Sequence, residues 1–346
     1  MQQYVPGLLE EIEVQDINEE TVPMLPDVLV MPFDKILDAC LCRVKVFRSP
    51  SHGYLFMDIH HMLMDGDSLG VLLADIVNAY FGRELPPDYY FALRSEEIQR
   101  MKQGSFEEDR AWFESRYGDE VWCNMPDESV EDQMLVDRDH IDQADMDKRL
   151  EFTADDVKKA ESFWGVSHSV MAIGAALLTL SRFTGKQHVM VNWIFNNRLS
   201  VEAQNAVGMM IKNLPAAARM EEYTSMSDFL LSVKEQVAEG IAHSSYDFMA
   251  GNYEAFVNDC IEVNLQLGIN GDELDVLKPT LIELNNDFSA AGARLELELL
   301  ENEHGDGGFD SEMEYAKGLF DPTQMEDFHN LYVKILEEIV RCEDNL

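Results

Sequence analysis

Two adjacent histidines followed by an aspartate and a glycine, His60-His61-Met62-Leu63-Met64-Asp65-Gly66, carry the chemistry most readily read from this chain. Histidine has an unperturbed pKa of about 6.5, so a neutral imidazole can take a proton from an attacking amine or hydroxyl near neutral pH. On a regular strand, neighbouring side chains point to opposite faces. His60 and His61 are therefore expected to diverge, with at most one of them facing a reacting group and the other structural. Asp65 is expected in the turn that follows, where a buried carboxylate fixes local geometry by hydrogen bonding or by pairing with an arginine. Gly66 is expected to provide a backbone conformation that a side chain would hinder. A histidine pair alone suits two core or surface residues at a strand end equally well. The full spacing His-His-x-x-x-Asp-Gly is far more specific.

The flanking segments place this motif at a strand-to-helix junction. Residues 41–47 and 54–59 have β-like composition, and the intervening 48–53, with Pro50 and Gly53, suits a reversal, so a hairpin is expected. Asp67 or Ser68 can cap a helix running to Tyr80, with Leu69, Leu72, Leu73, Ile76 and Tyr80 as its apolar stripe and Gly82 beyond its end. Further helices are expected over 105–117, from Thr153-Ala154-Asp155-Asp156 onward, and over 167–183, 223–243 and 324–342. Asp321-Pro322-Thr323 supplies the last helix start. Strands are expected over 149–152, 188–195, 255–269 and 294–300. The acidic stretch 119–147 reads as a solvated connector.

Composition narrows the function. The chain has 346 residues and is 46% hydrophobic, which allows a large core and more than one compact domain. Its 26 Lys and Arg against 66 Asp and Glu give a formal net charge of -40, which repels polyanions and argues against nucleic-acid binding. Residues 1–20 carry acids without a basic start or an apolar core, so no signal peptide is expected. No apolar run reaches the roughly 18 residues of a membrane-spanning helix, and a soluble, cytoplasmic chain is expected. Of five cysteines, Cys40 and Cys42 stand at strand spacing and are expected to be core residues. A zinc site is not expected, since no second cysteine pair accompanies them.

The motif His60-His61-x-x-x-Asp65-Gly66 resembles the active-site signature of the condensation domains of nonribosomal peptide synthetases, within the chloramphenicol-acetyltransferase-like superfamily. The resemblance continues, in family order, through Ala175 to the turn Phe183-Thr184-Gly185-Lys186. It then takes in Asn197-Arg198, Val207-Gly208-Met209-Met210-Ile211-Lys212-Asn213-Leu214-Pro215, and the closing Met313-Glu314-Tyr315-Ala316-Lys317-Gly318-Leu319-Phe320-Asp321. His243-Ser244-Ser245-Tyr246-Asp247-Phe248 is a poor copy of the family's His-Gln-Asp-x-Pro-Phe element. The Thr184-Gly185 turn is read as a helix C-cap, and Asn213-Leu214-Pro215 as a strand end or loop.

The resemblance implies an α/β (α+β) fold of two chloramphenicol-acetyltransferase-like lobes in a V, here a partial lobe over 1–105 and a connector with the second lobe over 106–346. It implies amide formation between a carrier-protein-bound acyl thioester donor and an aminoacyl acceptor. His61 would be the catalytic residue, and His60, Asp65 and Gly66 would hold the loop. No metal or cofactor is expected in the domain itself, because the phosphopantetheine arms belong to carrier proteins upstream and downstream; an adenylation domain is expected as a neighbour. The strand, long helix and further strand that precede the hairpin in the family are expected to be missing. With them would go an arginine that pairs with the motif aspartate, leaving Asp65 without its partner and a sheet edge open to self-association. The alternatives are a degenerate carrier-binding scaffold, an ester-forming acyltransferase and an epimerization domain. A heterocyclization domain would carry aspartate in place of His60.

Overall fold

Alternation of apolar and polar residues ahead of the histidine pair produces the expected hairpin. The computed structural model describes residues 12–24, 29–33, 35–37, 39–118, 121–126, 143–246, 261–266, 280, 282, 284, 295–301, 308–344 and 346. In it a short strand β1 (Val14–Asp16) lies parallel to β2 (Cys42–Arg48), which pairs antiparallel with β3 (Gly53–Ile59). The Ser49 amide closes the reversal by donating to the His52 carbonyl at 2.9 Å. Phe47 and Phe56 fall on one face of this hairpin and pack with Leu29 as a small core. Arg43 and Asp58, opposite each other on the same face, pair at 2.6 Å. Cys40 departs from expectation: the strand begins at Cys42, so strand periodicity does not reach Cys40, which is exposed, and Cys42 is only partly buried.

Helix α1 (Gly66–Tyr80) follows the motif, and Gly82 closes its end in the left-handed region at φ 67. Its buried side chains are Ser68, Leu73 and Val77, whereas Tyr80 is 74% exposed. The inward stripe is thus rotated from the expected one. Helix α2 (Tyr90–Lys102), which the sequence reading did not mark, precedes α3 (Ser105–Tyr117). Its composition is mostly polar, and of its side chains only Tyr90 is buried, so no apolar stripe announces it.

The chain divides into two compact units. One comprises Met1–Tyr90, Arg198–Met210 and Gly271–Asp287; the other comprises Phe91–Asn197, Ile211–Asn270 and Phe288–Leu346. The second unit is built on a six-stranded mixed sheet in the order β4-β9-β8-β7-β5-β6. Its strands are β4 (Gln143–Thr153), β5 (His188–Phe195), β6 (Lys212–Arg219), β7 (Glu262–Gln266), β8 (Leu295–Glu301) and β9 (Gly308–Ala316). The expected strand at 149–152 is therefore longer and takes in the end of the acidic stretch. Its apolar side, with Leu150 and Phe152 buried, is held by pairing with β9. The rest of that stretch lies mostly outside the described residues, as do the ends of the expected strand 255–269. Asn213, Leu214 and Pro215 lie inside β6, not in a loop. Proline lacks a donor and is accommodated because β6 is at the sheet edge.

Helices α4 (Ala154–Trp164), α5 (His168–Thr184), α7 (Met226–Ala242) and α8 (Pro322–Val340) enclose the core of this unit, with a short α6 (Val201–Gln204) belonging to the other. The starts read from sequence are real caps. Thr153 and Asp156 form a capping box, Ser167 accepts from the Val170 amide, and Asp321 accepts from the Thr323 and Gln324 amides. Helix α5 is buried on nearly all sides from Val170 to Ser181, as befits an apolar helix at the centre of a core. Among the described residues, no single helix is long and apolar enough to cross a membrane.

The opposite face of this sheet is acidic. Glu262, Glu296, Glu298, Glu312 and Glu314 alternate with buried Val263, Leu297, Leu299 and Met313. Burial, and then repulsion from Glu296, push Glu298 up to about 8. Burial, and then the neighbouring carboxylates led by Glu298, push Glu312 up to about 7. A carboxyl whose folded pKa is raised binds a proton that the unfolded chain releases, so this contribution is complete below about 4.5 and is lost as pH rises through 7 to 8. Buried His329, lowered to about 3 by desolvation, opposes this trend only below its ordinary range near 6.5. The melting temperature is therefore expected to fall between about pH 4.5 and 8, most steeply above about 6.5, where His329 no longer opposes the loss. Glu298→Gln should flatten that fall, as read by thermal unfolding across the range.

Candidate active site

Strand β3 ends at Ile59, and the chain leaves the sheet at His60, whose amide still donates to the Leu41 carbonyl at 2.9 Å. His60 caps a single 3-10 turn, His61–Leu63, with its Nδ1 accepting from the Met62 amide at 3.1 Å. That leaves the proton of a neutral His60 ring on Nε2. The ring also packs edge-on against Phe33, with centroids 5.6 Å apart. The two histidines thus do not diverge as strand neighbours, because the strand has already ended; the turn separates them. His60 is half-buried and engaged, while His61 is exposed and makes no side-chain hydrogen bond among the described residues.

Asp65 is the residue around which the junction is built. Its backbone is extended (φ -98, ψ 176), and its carboxylate, not Asp67 or Ser68, caps α1 by accepting from the Ser68 amide at 2.9 Å. The same Oδ1 lies 2.7 Å from Ser68 Oγ and accepts from Arg198 Nη2 at 2.7 Å. Oδ2 accepts from the Met210 amide at 2.9 Å. The side chains of Asp65 and Arg198 are 1% and 3% exposed. Asp65 therefore does not lack a cationic partner. The expectation failed because the partner was sought before the motif, whereas Arg198 lies 133 residues after it.

Arg198 is itself held in place. Asn197 precedes it in the left-handed region at φ 54, which asparagine tolerates better than most residues. Arg198 Nη1 donates to the Ala203 carbonyl at 2.6 Å and to the Ala206 carbonyl at 2.8 Å, around α6. Ser68 Oγ accepts from the Gly208 amide at 3.0 Å and lies 2.9 Å from its carbonyl. The Asp65 carboxylate, the Ser68 hydroxyl and the Arg198 Nη groups are thereby paired on both sides of the junction, as the cost of leaving them unpaired requires. Gly66 plays a plainer part than expected: it is the exposed first residue of α1. Among the described residues the left-handed glycines are Gly82, Gly104, Gly165, Gly185 and Gly318.

Gly208 is needed for a different reason. A Cβ there would stand 2.2 Å from the Tyr90 ring, which itself is buried. Gly208→Ala is expected to cost about 1–3 kcal/mol through overpacking. The cost should shrink in a Tyr90→Ala background, where the two changes would be less than additive in a denaturation cycle.

In the sequence, Asn197-Arg198 and Gly208 stand only as marks of the fold. The signal available was the one Lys or Arg between Lys186 and Lys212, ten residues before a glycine. Of the weak element after α7, His243 Nδ1 pairs with Asp109 Oδ1 at 2.9 Å and stacks on Trp112 with ring centroids 4.4 Å apart; Asp247 and Phe248 lie outside the described residues. Among the described residues, no group of three or more His, Cys, Asp or Glu side chains is arranged to hold a metal ion. The groups at the motif are suited to moving or orienting a proton: an exposed imidazole on a short turn, tied at its far end to a buried ion pair.

The family model described as Condensation domain matches residues 8–345. Bacitracin synthase 3 of Bacillus licheniformis is 23% identical over 97% of this chain, and tyrocidine synthase 3 of Brevibacillus parabrevis is 23% identical over 94%. The chain spans 5% of the length of each. Among solved structures, the condensation domain from the monacolin K polyketide synthase MokA superposes with a TM-score of 0.75 at 14% identity, covering 96% of this chain and 80% of that one. The first condensation domain of the calcium-dependent antibiotic synthetase gives 0.67 at 16% identity, covering 95% and 75%. The epimerization domain from the third module of tyrocidine synthetase B gives 0.71 at 14% identity, covering 97% and 81%, so the mixed α/β fold is common to both kinds of domain. With a matched family model over almost its whole length and an intact His60-His61-x-x-x-Asp65-Gly66 junction, the chain belongs to the condensation domain family of the nonribosomal peptide synthetases.

Proposed function

We propose that this chain joins an acyl thioester donor to the amine of an aminoacyl acceptor, each presented on the phosphopantetheine arm of a carrier protein. The amine attacks the thioester carbonyl, the C–N bond forms as the C–S bond breaks, and the amine's surplus proton ends on the departing thiolate of the donor arm. In this reading His61 accepts that proton or orients the amine that loses it. His60 shapes the turn, and Asp65 with Arg198 anchors it. The supporting observation is the contrast between the two ends of the motif: His61 is exposed and unengaged among the described residues, while Asp65 is saturated with hydrogen bonds and buried. A carboxylate so committed is suited to positioning, and the exposed imidazole to chemistry. An adenylation domain and upstream and downstream carrier domains in a cytoplasmic assembly line complete the proposal.

The test uses donor-loaded and acceptor-loaded carrier proteins incubated with the chain, followed by mass spectrometry of the arm-bound products. An amide on the acceptor arm supports the reading. Product only with a hydroxy-acid acceptor would make it an ester-forming enzyme, a stereochemically inverted donor without transfer would make it an epimerase, and carrier binding without any product would make it a scaffold.

A further inference from the structure

A strap of chain crosses one face of the hairpin in the first unit. Side chains alternate along a strand, so Arg43 and Phe47 on β2 share that face with Phe56 and Asp58 on β3. His60, whose amide bond to Leu41 continues the ladder, follows Asp58 at the same spacing. Residues 30–33 are neither helical nor paired as a strand, and side chains of the hairpin hold them instead. At one end Leu29 packs on Phe47 and Phe56. Arg43 then donates from Nη1 to the Met31 carbonyl and from Nη2 to the Pro32 carbonyl at 2.8 Å, while Nη1 also reaches Asp58 Oδ2 at 2.6 Å. The guanidinium carbon lies 3.9 Å from the centroid of the Phe33 ring. At the other end of the strap, Phe33 meets His60 with the two ring planes inclined by 62°.

A cross-strand ion pair serving only β2 and β3 would need Asp58 alone. Arg43 instead spends further donors on the carbonyls of the two residues that precede Phe33. A rigid fork held at three oxygens fixes its own plane, and the ring stacked on it is fixed with it. We propose that Arg43 and Phe33 are positioning residues for the motif. Arg43 sets the Phe33 ring, and that ring limits rotation of the His60 imidazole. A half-turn about the Cβ–Cγ bond of His60 would bring Cδ2, a carbon, to the Met62 amide in place of the accepting Nδ1. The 3-10 turn that displays His61 would then lose its cap. This inference rests on the reading of His61 as the group that accepts the amine's proton or orients the amine.

The experiment compares variants of the full chain by hydrogen exchange at the Met62 amide, by the nitrogen-15 shift of His60 Nδ1 in histidine-labelled protein, and by amide formation from loaded carriers. Phe33→Ala and Arg43→Gln should speed exchange at Met62 about tenfold or more and move the Nδ1 shift toward that of a ring without the bond. Each should lower kcat about three- to tenfold with little change in KM, because the amine is still bound but the turn is less often in place. Phe33→Tyr, which keeps the ring, should recover most of both effects. In a His60→Ala background neither substitution should lower kcat further, since the group it acts through is gone. Leu29→Ala cuts the small core at the far end of the strap. It should lower the melting temperature but leave Met62 exchange and kcat within about twofold. Circular dichroism verifies that each variant is folded. Unchanged Met62 exchange and Nδ1 shift in Phe33→Ala and Arg43→Gln would overturn the proposal, whatever the turnover. Equal effects from Leu29→Ala would reduce the strap to general stability of the hairpin and overturn it as well. If the wild-type chain forms no amide, the reading of His61 fails, and Met62 exchange with the Nδ1 shift still decides whether Arg43 and Phe33 hold the turn.

Discussion

Asp65→Ala is expected to cost about 3–5 kcal/mol of folding stability in the first unit, the range for removing one partner of a buried ion pair. The loss comes from what remains behind. Arg198, with 3% of its side chain exposed, would keep its charge in a site faced by the Ala203, Ala206 and Gly208 carbonyls and Ser68, with the half-exposed Asp67 carboxylate 3.6 Å from its Nε. The Ser68 and Met210 amides would lose their acceptors as well. Arg198→Ala should be costly for the converse reason. The double variant should cost less than the sum of the two, because the second change removes the group that the first left stranded. Asp65→Asn, which keeps an acceptor for the cap but not the charge, should fall between wild type and alanine.

The choice of observable matters. All four tryptophans, at 112, 122, 164 and 193, lie in the second unit, so tryptophan fluorescence would report chiefly on the part of the chain that the substitution does not touch. Hydrogen exchange at the Ser68 and Met210 amides reads the loss directly. Unchanged protection with abolished turnover would move Asp65 from anchoring to chemistry.

His61→Ala is expected to lower amide formation by about two to four orders of magnitude, the range for losing a general base. Stability should change by no more than about 0.5 kcal/mol, because the imidazole is exposed and makes no side-chain hydrogen bond among the described residues. The pairing of a large kinetic effect with a negligible thermal one is what separates His61 from its neighbours. His60→Ala should show the reverse balance. It removes the acceptor of the Met62 amide and the contact with Phe33, loosening the turn that carries His61. A His61 variant that keeps full turnover would eliminate proton transfer as its role. A drop of less than about tenfold would leave it only the task of orienting the amine.

Local signals in this sequence translated well into local structure. The Pro and Gly between residues 48 and 53, the Thr153-x-x-Asp156 box, Ser167, Gly82, Gly185 and Asp321-Pro322 each satisfy backbone groups within a few residues of themselves, and each stands where it was expected. Helix α2 was not legible because it shows no apolar periodicity, with Tyr90 its one buried residue. The start of β4 was hidden for the opposite reason. Its outward positions are Asp145 and Asp147, so a half-acidic strand imitates a solvated connector until its partner β9 is known. At the site, the histidines and aspartate were legible as a motif. Their geometry was not, since the end of β3 at Ile59 decides how the pair is displayed. The pairing of Asp65 with Arg198 depends on topology across more than a hundred residues, which no spacing rule reports.

The distance in sequence between Asp65 and its anchor also fixes when the motif can mature. A chain made from its N-terminus exposes the histidine pair and α1 early, but Arg198 emerges only 133 residues later. At about 5–20 residues per second, that is a delay of roughly 7–27 seconds. Throughout this interval the Asp65 carboxylate has only its cap on α1, and Tyr90 faces no Gly208. The first unit is thus obliged to close after β5 of the second has been synthesised, although most of its own residues come first. A nascent chain arrested between β5 and α6 should leave the motif open to proteases and to hydrogen exchange, and a few dozen further residues should close it.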